Sequence, residues 1–149
     1  MPWRRVSLVS LTGAALLFLT LWFHGFWVFG VEMDYLNGGV QPMAPSLPVT
    51  TLLFAEMALM PALLTALLMA MTLALTRRFP NLQCGLALCL WLILWFVSAN
   101  AIAAAFAIDF GTTWGFLEPF GALMAHALVT PACLIISLAT LWFTLRTPR

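Results

Sequence analysis

Residues 63–96 read LLTALLMAMTLALTRRFPNLQCGLALCLWLILWF. An apolar run stops at Arg77-Arg78, turns through Phe79-Pro80-Asn81, and a second apolar run begins at once. Each run, extended outward to its next polar break, is long enough to cross a hydrocarbon layer, which needs about 20 apolar residues. A paired cation and a proline turn between two such runs make a transmembrane helical hairpin. Extended backward the first run starts near Thr50, and extended forward the second reaches Ile108, where Asp109 ends it.

The same pattern repeats outward in both directions. A first span covers roughly residues 6–31, behind Arg4 and Arg5. Spans two and three cover 50–75 and 82–108, and a fourth covers 119–145, ahead of Arg146 and Arg149. The expected fold is therefore an all-α integral membrane protein, an antiparallel bundle of four transmembrane helices forming one domain over 1–149. Short connections make sequence neighbours antiparallel, and spans one and four then close the ring.

Composition excludes the alternatives. Of 149 residues, 64% are hydrophobic and only 7% charged, and the mean hydropathy is +1.05. Four spans leave no room for a soluble domain. A formal net charge of +1 offers nothing to nucleic acid. The start, Met1-Pro2-Trp3-Arg4-Arg5 and an apolar run, resembles a signal peptide. The run is too long for one and no small-residue cleavage site follows, so it reads as an uncleaved span.

All six basic residues flank the same side of the spans, whereas Glu32, Asp34, Asp109 and Glu118 lie in or beside the two opposite connections. The positive-inside rule puts both termini in the cytoplasm of a bacterial cell, with the chain in the inner membrane.

Each span then carries one side chain that is costly in lipid: His24, Glu56, Asn100 and His126. At ~1.5 Å per residue all four lie roughly 9–13 Å below the outer boundary. On a helical projection, Ser10, Gly13 and Thr20 share the face of His24. Ala122, Thr130, Cys133, Ser137 and Thr140 share that of His126, and Cys89, Ala104 and Ala107 that of Asn100. Small and hydroxyl-bearing stripes of this kind face other helices. Glu56 shares its face with Met60, Leu63, Leu67, Ala70 and Ala74, with Thr65 and Thr72 opposite. Pro61 and Pro131 each free a carbonyl inside a span, and are expected to bend spans two and four below the polar layer.

The layer admits several chemistries. His24 and His126 at one depth suit the two axial ligands of a b-type haem. In a quinone site, His and Asn would bond the carbonyls and Glu56 would handle the proton. A two-His, one-carboxylate metal set of His24, His126 and Glu56, with Met57, Met60 and Met124 nearby, would suit copper. An ionisable group within a span is by default a functional candidate, so Glu56 also suggests a small proton- or cation-coupled transporter. Otherwise Asn and His tie helices together without chemistry. Cys84, Cys89 and Cys133 have no C-x-x-C spacing and read as small buried residues. With no complete motif and no soluble domain, the expected role is an accessory subunit of a larger membrane complex rather than an enzyme. Its partners are lipid and other membrane subunits or copies of itself. A cofactor is expected in the His24, Glu56, Asn100 and His126 layer.

Overall fold

The computed structural model describes residues 2–28, 47–109, 120–121 and 126–146, with backbone alone at 47–50, 81 and 106–109. Four long helices account for nearly all of it: α1 Trp3–Gly25, α2 Leu47–Leu75, α3 Pro80–Asp109 and α4 Val129–Arg146. All four contain a stretch long and apolar enough to cross a membrane. Among the described residues there is no strand. The connection 32–46, the segment 110–119 and Met124 lie outside them.

α1 is the hub. It packs most extensively on α2 and also touches α3 and α4, while α3 joins α2 and α4. Its buried positions explain this: Val6, Val9, Ser10, Gly13, Ala14, Leu17, Thr20, Leu21, His24 and Gly25 recur at spacings of three and four along one broad face. Small members of that face let neighbours approach the backbone. Met69 of α2 closes on Gly13, where a Cβ would meet its sulfur at 2.3 Å. Phe54 closes on Gly25, where a Cβ would meet its ring at 2.3 Å. Trp91 of α3 is fully buried, and its indole N–H donates to the Gly13 carbonyl at 2.9 Å. One glycine of α1 therefore receives α2 and α3 together.

The contacts run in opposite sequence directions between neighbours. Between α1 and α2 they pass from Trp3 with Arg77, through Gly13 with Met69, to Gly25 with Phe54. Between α1 and α4 they pass from Arg5, which donates to the Leu145 carbonyl, through Thr20 with Ser137, to His24 with Thr130. At the α2–α3 turn, Gln83 is buried and donates to the Leu73 carbonyl at 2.7 Å. Arg77 and Arg5 thus lie at one end of the molecule, together with Arg146 on Trp142.

The fourth helix differs from its expected extent of 119–145. Phe120 and Gly121 are helical, His126–Leu128 are not, and α4 starts at Val129. Pro131 then falls near the start of α4, as its third residue. It is not the mid-span bend that sequence suggested. Pro61 does lie inside α2.

The outer faces are largely apolar. Leu52, Leu59, Leu63 and Leu67 of α2, Ile93 and Val97 of α3, and Ile135 and Phe143 of α4 are all exposed. Soluble monomers do not present contiguous apolar surface on this scale.

Candidate functional site

The seam between α1 and α4 holds most of the polar chemistry. His24 is fully buried, and its Nε2 lies 3.1 Å from the Thr130 hydroxyl. Four residues back along α1 and seven on along α4, the hydroxyls of Thr20 and Ser137 lie 3.0 Å apart, both buried. These two hydrogen bonds fix the register of the two helices, since a slip of one residue on either would break both.

His126 does a different job. Its Nδ1 accepts from the backbone N–H of Leu128 at 3.1 Å and of Val129 at 2.9 Å, and its carbonyl accepts from the Thr130 N–H at 3.2 Å. A side chain that accepts the N–H groups two and three residues ahead is an N-cap. The imidazole here takes the place usually held by Asp, Asn, Ser or Thr. Thr130 therefore connects both histidines, by its side chain to His24 and by its backbone to His126.

The cap fixes the tautomer of His126. Two N–H donors directed at Nδ1 require a lone pair there, so the proton of the neutral ring sits on Nε2. In this arrangement the Nδ1 of His126 is engaged by the cap and the Nε2 of His24 by Thr130. Among the described residues no group of three or more His, Cys, Asp or Glu is placed to hold a metal ion.

Asn100 is half-buried on α3, and its Oδ1 has no hydrogen-bond partner among the described residues. The same holds for the indole N–H of Trp95, one of the buried core rings, which packs edge-on against Phe120 at 6.2 Å between centroids. Asn100 thus turns toward the bundle, in the half of the molecule that holds His24.

Glu56 does not join them. It is exposed on the outer face of α2, flanked by exposed Leu52, Leu59, Met60 and Leu63, while Thr65 on the other side of the helix is fully buried. The expected convergence of four polar side chains fails at Glu56, while His24 is buried and Asn100 and His126 are half-buried. The physical reason is the packing of α2, which turns Phe54, Ala58, Ala62, Met69 and Leu73 inward and has nothing small or polar beside Glu56 to bury. Glu56 therefore lies on a different side of the bundle wall from the buried His24.

The cysteines also depart from expectation. Cys84 and Cys133 are half-buried and Cys89 is exposed, all as free thiols. Reasoning from sequence missed Trp91 and Gln83, which turn out to be the buried polar links of α3 to the rest. The signal for Gln83 was available, because an amide within a turn of a span's end needs a carbonyl to bond.

No family model, curated protein or solved structure matches this chain.

Proposed function

We propose that this chain is a multi-pass subunit of a larger assembly in the bacterial cytoplasmic membrane, built as an antiparallel bundle of four transmembrane helices with both termini cytoplasmic. It joins a neighbouring membrane helix through the outer face of α2. The topology rests on the arginines gathered at one end and the positive-inside rule.

The observation that carries the role is the position of Glu56. A carboxyl group exposed among leucines on a membrane helix costs several kcal/mol unless it is paired or reaches the interface. Protonated, it is both donor and acceptor, and polar groups of this kind bind helices to one another in lipid. The partner is a membrane helix that offers a complementary polar side chain at that depth. The histidines serve the bundle itself, His24 holding α1 to α4 and His126 starting α4.

The test is a photo-crosslinking amino acid placed in living cells at Met60, beside Glu56, and separately at Ile136 on α4. Position 60 should give one discrete protein adduct that disappears in Glu56→Leu, and position 136 should give none. An adduct at 60 that persists in Glu56→Leu, or crosslinks to lipid alone at both positions, contradicts the proposal.

A further inference from the structure

A groove of about 760 Å³ opens between the start of α1 and the end of α4. Arg4 and Arg5 form its rim, and Leu8, Thr12 and Phe143 extend it toward the middle of the bundle. From Arg4 to Thr12 the wall runs ~12 Å along α1.

Its electrostatics are one-sided. Glu56 and Asp109 are the acids within the described helices, and both belong to the opposite half of the bundle. Arg77 and Arg146, at the same end as the groove, lie over the rings of Trp3 and Trp142. Arg5 spends one N–H on the Leu145 carbonyl, which holds its guanidinium against α4 with further donors to spare. The hydroxyls of Thr140 and Thr144 in the groove donate back to the Ile136 and Thr140 carbonyls. The demand at the rim is therefore for an anion, and along the wall for hydrocarbon.

We propose that this groove binds an anionic glycerophospholipid, with its phosphate between Arg4 and Arg5 and one acyl chain along Leu8, Thr12 and Phe143. A basic pocket between membrane helices on the cytoplasmic side is suited to such headgroups. The inference rests on the membrane reading above.

The experiment is native mass spectrometry of the full-length protein released from nanodiscs of equal parts phosphatidylglycerol and phosphatidylcholine. The chain should retain one phosphatidylglycerol in preference to phosphatidylcholine. Arg4→Gln should weaken that preference about fivefold. Arg78→Gln, at the same end but outside the groove, should leave it intact. Leu8→Trp keeps every charge but fills the wall, and should reduce retention of either lipid. Equal retention of the two lipids, equal effects of Arg4→Gln and Arg78→Gln, or displacement by millimolar inorganic phosphate would overturn the site. Alkaline extraction of cell membranes separates the two readings. Release of the chain into the supernatant contradicts membrane insertion itself, whereas a retained chain without lipid preference contradicts only the groove.

Discussion

Thr130 Oγ1 lies 3.1 Å from His24 Nε2, across the seam of α1 and α4, and the Thr130 amide bonds back to His126. One residue therefore joins the buried histidine of the first helix to the start of the last. Below it, Thr20 and Ser137 repeat the link.

Removing the Thr130 hydroxyl should loosen that seam. Thr130→Val keeps the shape and should cost about 1 kcal/mol, with a similar cost for Ser137→Ala. Thermal unfolding of the purified protein in detergent checks both. A double-mutant cycle of Thr130→Val with His24→Leu should give a coupling of about 0.5 kcal/mol or more.

The cap makes a sharper distinction. His126→Asn retains an acceptor at the N-cap and should fold with nearly unchanged stability, whereas His126→Ala should lose about 1 kcal/mol. Were His126 a metal or haem ligand instead, Asn would be as damaging as Ala. The same melts decide it, with an absorbance scan for a Soret band in the wild type as a second readout.

The two glycines of α1 should rank in a definite order. Gly25→Ala drives a methyl into the Phe54 ring, which has no room to give, and should cost about 1–3 kcal/mol. Gly13→Ala meets the end of Met69, a flexible side chain, and should cost less. Phe54→Leu should partly rescue Gly25→Ala. An equal cost at both glycines would mean that α2 does not approach α1 as described.

Orientation is open to direct measurement. In a background with Cys84, Cys89 and Cys133 replaced by Ala, single cysteines at Gly38 or Thr113 should react with an impermeant thiol reagent outside intact cells. A cysteine at Asn81 should react only after lysis. The reverse pattern would invert the topology and place the arginine groove on the outer side.

The helices were legible in sequence because the signal is redundant. Every span is bounded by arginines, acids or prolines, and shifting a boundary by a few residues changes nothing. The inward face of α1 was legible for the same reason, since Ser10, Gly13 and Thr20 mark it, whereas on α4 Ser137 is buried but Thr140 of the same stripe is exposed. Glu56 was misplaced because cost alone was taken to send it inward. Its own helix carried the contrary signal: Met60, Leu63 and Leu67 share its face while Thr65 lies opposite, and the structure follows that pattern. The capping role of His126 was not legible because it depends on where α4 begins. The apolar run gives no sign of that break, since residues 119–145 look helical throughout.

The assignment of Glu56 to a partner helix is tested by native electrophoresis of gently solubilised membranes. The wild-type chain should migrate in a particle well above its own 16.4 kDa plus detergent. Glu56→Gln, which keeps a donor and an acceptor, should remain in that particle, and Glu56→Leu should fall to the free chain with its thermal stability unchanged. Wild type and Glu56→Leu migrating alike, in either form, would contradict the account.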